Sequence, residues 1–147
     1  MMKHLPFPTP ATPGANVLSH RVYYGETDRM SYVYYGNYPS WFEQGRTEWL
    51  RQHGLCYKNL EERGLMLPVR SLSIRYLRPA RYDELLKIVT ALAEKSRARM
   101  TFLSAVYGED DICTAEGTVE LAAVDPSGKP RPIPEDVAEI LAKTMQG

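Results

Sequence analysis

Residues 23–38 contain the side chains best suited to chemistry, and Asp28 is the most reactive group among them. An Asp carboxyl has an unperturbed pKa of ~3.9, so it is ionised at neutral pH unless its site is dry. A carboxylate of this kind can act as a base on water or as a nucleophile. Asp28 or Thr27 could equally cap a turn. The local residues leave both interpretations open.

A helix is predicted directly after this stretch. Asn37 is the expected N-cap, and Pro39 suits a first helical turn, where its missing N–H costs nothing. One face of the helix repeats at i, i+3, i+4, i+7 and i+11, through Tyr38, Trp41, Phe42, Gly45 and Trp49. Gly54 predicts the helix end. The free N–H groups of such a helix start favour negative charge, including an oxyanion forming on a carbonyl.

The remaining pattern is mostly that of strands. A first strand is expected at residues 18–24, before the helix, and a short second helix at residues 57–63. Further strands are expected at residues 72–76, 85–93, 99–107 and 112–124, and a last helix at residues 134–144. Strands joined by short connections, with the helices kept apart from them, predict an α+β fold with an antiparallel sheet. The helix has too many large aromatic side chains to lie exposed to water, so the sheet is expected to curve around it.

Composition excludes several classes of protein. The 147 residues suit one domain, and 18 basic against 18 acidic residues give zero net charge, which argues against binding nucleic acid by bulk charge. His4, His20 and His53 are scattered, and Cys56 and Cys113 lack metal-ligand spacing, so neither zinc nor a disulfide framework is expected. No apolar run reaches the ~20 residues of a membrane helix. The free thiols and the lack of a secretory signal favour the cytoplasm.

The chain is predicted to have two parts. Residues 1–16 hold four of the eleven prolines and are expected to form a flexible arm. Residues 17–147 are expected to form the single folded domain.

Several spaced motifs resemble the 4-hydroxybenzoyl-CoA thioesterase family of hotdog-fold proteins. The likeness begins with Thr27-Asp28, the run Val33–Tyr38 and four charged helix residues, Glu43, Arg46, Glu48 and Arg51. It continues through Val69–Ile88 and into the tail at Asp125-Pro126 and Arg131–Pro134. The resemblance spans residues 22–134, which is nearly the whole predicted domain.

The resemblance implies hydrolysis of acyl-CoA thioesters by a hotdog domain, a curved sheet around one long helix. It implies that Asp28 is the catalytic carboxylate and that backbone N–H groups near Tyr35 and Gly36 bind the thioester carbonyl. Tyr35 stands where some relatives have His, and Ser31 where many have Gly. A thiol leaving group with a pKa of ~8.5 departs with little acid help, so no metal or organic cofactor is expected.

The substrate contacts expected from the resemblance are less specific. Tyr34 and Tyr38 are candidate substrate-binding residues, each with a core role as the alternative. The phosphates of CoA need cations, for which the candidates are Arg70, Arg75, Arg78, Arg81, Arg97 and Arg99. Arg97 and Arg99 are preferred, because strand ends there lie near the CoA entrance in similar proteins. A solvated strand residue is the plainer interpretation of each.

Two other functions stay open, and the resemblance also implies an assembly. A hotdog dehydratase would want a His paired with an acid near the helix, for which His20 and His53 look badly placed. A non-catalytic acyl-CoA or acyl-carrier binding module is the other alternative. Glu43, Arg46 and Glu48 are expected to form a structural charge network, with a catalytic role for Glu43 as the alternative, because some other hotdog branches place their carboxylate on the helix. The resemblance implies a homo-oligomer, either a dimer or a tetramer built from two dimers.

Overall fold

A computed structural model describes residues 6–145 of the chain. In chain order the strands and helices are β1 (Asn16–Arg21), α1 (Tyr38–Gln52), α2 (Tyr57–Glu62), β2 (Val69–Tyr76), β3 (Leu85–Lys95), β4 (Arg99–Tyr107), β5 (Cys113–Ala122) and α3 (Glu135–Thr144). Two short 3₁₀ turns, Tyr24–Glu26 and Tyr35–Asn37, lie between β1 and α1. The segment with the candidate chemistry therefore connects an edge strand to the longest helix.

The five strands form one antiparallel sheet in the order β1-β3-β4-β5-β2. Helix α1 packs against the sheet, and its main contacts are with β3, β1 and β4. The predicted α+β architecture, with a curved sheet covering an aromatic helix, is confirmed.

The predicted apolar face of α1 is the face that the sheet covers. Trp41, Phe42 and Trp49 are buried, and the Trp49 ring meets the Phe102 ring edge-on at 5.1 Å. At Gly45 the helix comes so close to β3 that a Cβ atom would collide with Thr90. A glycine is needed there because the two backbones approach without room for a side chain.

Two local predictions for the chain up to the start of α1 differ from the structure. The first strand covers Asn16–Arg21 rather than residues 18–24, because the chain turns at Tyr24–Glu26 into a 3₁₀ turn. Asn37 occupies the predicted N-cap position, but its side chain does not cap α1: its backbone is helical, and its side-chain amide donates to the Glu26 carbonyl at 2.8 Å. The 3₁₀ turn Tyr35–Asn37 runs straight into α1, so the helical backbone begins at Tyr35.

Part of the predicted N-terminal arm contacts the domain. Pro8 is buried, and its carbonyl accepts a hydrogen bond from the Tyr107 hydroxyl at 2.8 Å. The Gly14 carbonyl lies 2.9 Å from Nε2 of His53. Residues 1–5 of the arm lie outside the described residues, and its flexibility stays a prediction.

Strand β2 is one edge of the sheet, and it is unusual in being exposed on both faces. Large apolar side chains stand open to solvent along it and just beyond it, namely Val69, Leu72, Tyr76 and Leu77. Across residues 6–145, no helix is both long enough and apolar enough to span a membrane.

Candidate active site

Asp28 is held in a tight loop next to the start of α1. Its Oδ1 accepts hydrogen bonds from the backbone N–H groups of Met30 at 2.8 Å and Tyr32 at 3.2 Å. The loop is in turn fixed to the segment before β3, because Val33 N–H donates to the Ala80 carbonyl at 2.8 Å. Within the described part of the chain, Oδ2 of Asp28 has no hydrogen-bond donor, and the side chain is exposed. One carboxylate oxygen therefore orients Asp28 and leaves the other oxygen free to react.

Ser31 completes this loop in a strained conformation. Its φ of 64° lies in the left-handed region, which glycine occupies at no steric cost. The position therefore calls for the Gly that the resemblance associates with it. Ser31 is nevertheless accommodated, because its carbonyl accepts a hydrogen bond from Tyr82 N–H at 3.1 Å.

The start of α1 presents unpaired donors. Among residues 6–145 the backbone N–H groups of Tyr35 and Gly36 have no acceptor, as expected for the first turn of a helix. The Tyr34 ring lies over Gly36 so closely that a Cβ atom there would be 2.5 Å from Cε1 of Tyr34. Because Gly36 has no side chain, the Tyr34 ring can lie over the start of α1 next to the free N–H of Gly36.

Two openings flank this helix start. The first, the Asp28 cleft, has a volume of ≈ 390 Å³ and takes its walls from the loop, α1 and the end of β2. Its main polar and aromatic lining residues are Asp28, Tyr32, Tyr35, Tyr38, Tyr76 and Arg78. The Tyr76 hydroxyl donates to the Tyr35 carbonyl at 3.2 Å and so ties β2 to the helix start. The structure brings Asp28 and Tyr35 into one cleft.

The second opening, the Arg46 cavity, has a volume of ≈ 590 Å³ and runs between α1 and the inner face of β2 and β5. Gly36 lies at one end, and the polar lining further along α1 includes Glu43, Arg46 and Thr47. Most of the remaining wall is apolar, with Leu50, Leu67, Leu72, Phe102, Val119 and Leu121.

Tyr34 and Tyr38, both candidates for substrate contact, have different surroundings. Tyr34 is half exposed over Gly36, whereas Tyr38 is buried and packs edge-on against Trp41 and Tyr76. Burial raises the pKa of the Tyr38 hydroxyl, so it stays protonated and can only donate or accept a neutral hydrogen bond.

Glu26 is the residue that our sequence reasoning missed. One of its carboxylate oxygens accepts from Tyr23 N–H at 2.8 Å, and the other accepts from the Trp41 indole N–H at 2.9 Å. His20 Nε2 lies 2.8 Å from the same carboxylate. Burial works to raise the pKa of Glu26, but the hydrogen bonds from Tyr23, His20 and Trp41 together lower it below its ordinary value. Tyr23 stands where a capping box has Ser or Thr, so Glu26, three residues later, is the only part of that motif present in the sequence.

The Glu26 backbone takes part as well. Its carbonyl accepts from Tyr34 N–H and from the Asn37 amide, both at 2.8 Å. Glu26 thus connects β1, the Asp28 loop and the start of α1. His20 is paired with an acid after all, but its ring lies against Trp41 and lines neither opening.

Of the six arginines considered for CoA phosphates, Arg70, Arg97 and Arg99 line neither opening. Arg70 and Arg99 both lie 3.6 Å from Oε1 of Glu120, on neighbouring strands, and Arg97 is exposed in the turn before β4. The arginine that lines the Asp28 cleft is Arg78, which also pairs with Asp110 at 3.1 Å. Phosphate binding by Arg70, Arg97 and Arg99 stays a prediction.

Within residues 6–145, no ion pair joins Glu43, Arg46 and Glu48 to one another, so the charge network expected on α1 is not found in that form. Glu48 pairs with Arg51 at 3.5 Å, but Arg46 makes no ion pair within residues 6–145. Over the same residues, no group of three or more His, Cys, Asp or Glu side chains is arranged to hold a metal ion.

A sheet wrapped around one long helix, with a carboxylate loop beside unpaired N–H groups at the helix start, defines a hotdog-fold protein with a site suited to acyl transfer. Comparison with known proteins agrees. Residues 22–141 match the family model of the Thioesterase-like superfamily. The chain therefore belongs to that superfamily, and it is a thioester hydrolase.

Individual relatives support the assignment. The acyl-CoA thioester hydrolase YbgC of Escherichia coli is 31% identical over 118 residues, which are 80% of this chain and 88% of the relative. The acyl-CoA thioesterase YbgC of Haemophilus influenzae is 35% identical over 114 residues, covering 77% and 82%. The crystal structure of a DHNA-CoA thioesterase from Staphylococcus aureus superposes with a TM-score of 0.86 at 27% identity, covering 90% and 91%. The predicted family, fold and reaction class are confirmed.

Proposed function

We propose that this chain hydrolyses acyl-CoA thioesters to a free acid and CoA, with Asp28 as the catalytic carboxylate. The observation that carries the proposal is that Asp28 lines one cleft with Tyr35, whose backbone N–H, like that of the adjacent Gly36, has no acceptor among residues 6–145. These donors suit a thioester oxygen, and the helix start favours the negative charge that develops on that oxygen.

The proposed reaction needs only these groups. Acting as a general base, Asp28 takes a proton from water, and the resulting hydroxide attacks the thioester carbon. The C–O bond forms, the carbonyl electrons move to the oxygen held by Tyr35 and Gly36, and the C–S bond then breaks. CoA leaves as a thiolate, which is a good leaving group because its thiol pKa is ~8.5. In the nucleophilic version, Asp28 itself attacks and water then hydrolyses the acyl anhydride.

Asp28→Asn tests the proposal directly. Asn keeps the acceptor for Met30 N–H, so the loop should persist, but it cannot act as a base. We expect kcat to fall at least ~10²-fold, measured by thiol release from short, long and aromatic acyl-CoAs. Asp111→Asn, in the exposed turn between β4 and β5, removes the same charge and should leave kcat unchanged.

Two outcomes would contradict this assignment. A folded Asp28→Asn variant with wild-type kcat would show that Asp28 is not the catalytic carboxylate. Binding of CoA without hydrolysis of any thioester would favour the acyl-CoA binding module instead. Trapping an acyl anhydride on Asp28 would establish the nucleophilic version.

The proposed enzyme is a homo-oligomer that works in the cytoplasm. Strand β2 has an open edge and exposed apolar side chains, and such an edge is protected by pairing with another strand. A second copy offers an identical edge, so two copies can pair β2 with β2 and form one continuous sheet; two such dimers would make a tetramer. Both cysteines are free thiols, a state that a reducing compartment maintains.

A further inference from the structure

Arg46 is the one arginine of α1 whose side chain is mostly buried, and within the described part of the chain it makes no ion pair or hydrogen bond. Its guanidinium nitrogens are not sealed from solvent, so they open onto the cavity that Arg46 lines. The residue is 8% exposed, and burial lowers the pKa of its guanidinium. Exposed arginines such as Arg51 and Arg63 have carboxylates within 4 Å, whereas Arg46 has none among residues 6–145. A buried charge is stable only when a hydrogen-bonding partner replaces the water that it has lost.

Arg46 lies in the wall of the Arg46 cavity, whose volume of ≈ 590 Å³ is that of a ligand pocket. The same cavity reaches Gly36, where a free N–H is proposed to hold the thioester carbonyl. Ten residues of helix separate Gly36 from Arg46, which is about 15 Å along the axis. Helical side chains lean toward the N-terminus, so the guanidinium is nearer to Gly36 than its Cα is.

The cavity wall between these two points is mainly apolar. Leu72, Phe102 and Val119 suit methylene groups, and only the far part of the cavity offers a buried cation. Glu43 also lines the cavity, and its negative charge partly offsets the effect of burial on the Arg46 pKa. Glu43 is exposed and forms no ion pair with Arg46 within 4 Å, so solvent weakens its attraction for the guanidinium. Along the cavity, the N–H group of Gly36 that can bind a carbonyl is therefore followed by an apolar channel and then by the cation of Arg46.

We propose that Arg46 binds a carboxylate at the far end of the acyl chain, so that the preferred substrates are ω-carboxylated aliphatic acyl-CoAs. This inference rests on the proposed thioesterase function, because Gly36 must hold the thioester for Arg46 to meet the other end. A guanidinium binds a carboxylate through two parallel hydrogen bonds, which restores the partners that burial removed. An acyl chain ending in a methyl group leaves Arg46 buried and unpaired.

Matched pairs of substrates test the inference. Hexanoyl-, octanoyl- and decanoyl-CoA are compared with adipoyl-, suberoyl- and sebacoyl-CoA, so that chain length is varied independently of the terminal charge. We expect kcat/KM to favour the carboxylated member of at least one pair by about 10- to 100-fold. Arg46→Met should remove that preference, whereas Arg51→Met, an exposed arginine on the same helix, should retain it.

Three results would overturn the inference. The first is that the wild-type enzyme has the same kcat/KM for both members of every substrate pair. This measurement does not depend on the folding of any variant. Another is an Arg46→Met variant that folds and keeps the full preference. The third is an Arg46→Met variant that loses its oligomeric state, because a carboxylate of a second copy would then be the partner of Arg46.

If the enzyme hydrolyses none of these thioesters, the result contradicts the proposed function instead. The Arg46 inference is then decided by binding alone, using calorimetry with the non-hydrolysable CoA thioethers of the same six chains. Tighter binding of the carboxylated thioethers, lost in Arg46→Met, would support the site. Equal binding within every pair would overturn it.

Discussion

At the scale of single residues, Glu26 links the candidate catalytic loop to the rest of the domain. Its side chain is only 17% exposed and accepts hydrogen bonds from β1, from its own turn and from α1. Its position two residues before Asp28 means that these bonds also fix where the candidate catalytic loop begins. We regard Glu26 as a positioning residue rather than a catalytic one, because it lines neither opening.

Replacing Glu26 should destabilise the fold in a graded way. Glu26→Ala leaves the Trp41 indole and Tyr23 N–H groups without an acceptor, and we expect the free energy of unfolding to fall by about 2–4 kcal/mol. Glu26→Gln keeps one acceptor oxygen and should lose about 1–2 kcal/mol. Glu139→Gln, on an exposed face of α3, is the matched control and should change little. Chemical denaturation measures all three.

The effect of Glu26→Gln should also depend on pH. Since the folded-state pKa of Glu26 lies below its ordinary value, its ionisation stabilises the fold above the unfolded-state pKa of ~4.3. That contribution is lost as the pH falls through the lower, folded-state pKa. The difference in unfolding free energy between wild type and Glu26→Gln should therefore be full near neutrality and shrink in acid. A difference that is constant down to strongly acidic pH would refute the role of the Glu26 charge.

At the scale of secondary-structure elements, the candidate site is supported by the packing of α1 on β3, which is very close at one point. Gly45 on α1 and Thr90 on β3 touch, and Thr90 Oγ1 is buried with no hydrogen-bond partner among residues 6–145. This contact sets how closely the helix lies on the sheet, and hence where the helix start stands relative to the Asp28 loop.

Gly45→Ala should destabilise the protein even though Ala is the better helix former. The helix gains about 1 kcal/mol in propensity, but the overpacked contact with Thr90 should give a net loss of about 1–3 kcal/mol. Adding Thr90→Ala makes room for the new methyl group, so the double variant should lose less than the sum of the two single variants. Gln44→Ala, on the exposed face of α1, is the control. Additive losses would mean that the two residues do not limit the packing.

At the scale of the whole molecule, the proposed assembly depends on the open edge of β2. In an antiparallel pair of two β2 strands, residues near the middle of the strand face their own copies, and like charges placed opposite each other repel. Ser73 is central in β2, exposed and outside both openings. It is therefore the position where a charge would disturb a β2 interface without altering the site.

Ser73→Glu should weaken the dimer by at least ~10-fold in dissociation constant. Sedimentation equilibrium or light scattering after size exclusion measures this change. Ser19→Glu places the same charge on β1, the other edge of the sheet, and should leave assembly intact. If Ser19→Glu dissociates the protein and Ser73→Glu does not, the interface lies at β1. A wild-type chain that is monomeric at micromolar concentration would contradict the oligomer altogether.

Much of this molecule follows from local pattern. The aromatic repeat and Gly54 correctly predict the body and end of α1, and the bounds of β4 agree with those expected from its residues. The spaced motifs also predict the fold family and the reaction class. These features depend on side-chain periodicity and turn chemistry, which neighbouring residues determine among themselves.

What only the tertiary structure decided depends on contacts between distant parts of the chain. Several features arise only where two or three elements meet. They are the 3₁₀ turn that moves the helix start to Tyr35, the pairing of Glu26 with His20 and Trp41, and the pairing of Arg70 and Arg99 with Glu120. The burial of Arg46 is of the same kind, because a charged residue on a helix faces water unless a sheet closes over it. Sequence alone thus predicted the helix and singled out Asp28 as a candidate, whereas the folded sheet determined which charges are paired, which side chain is buried and where the openings lie.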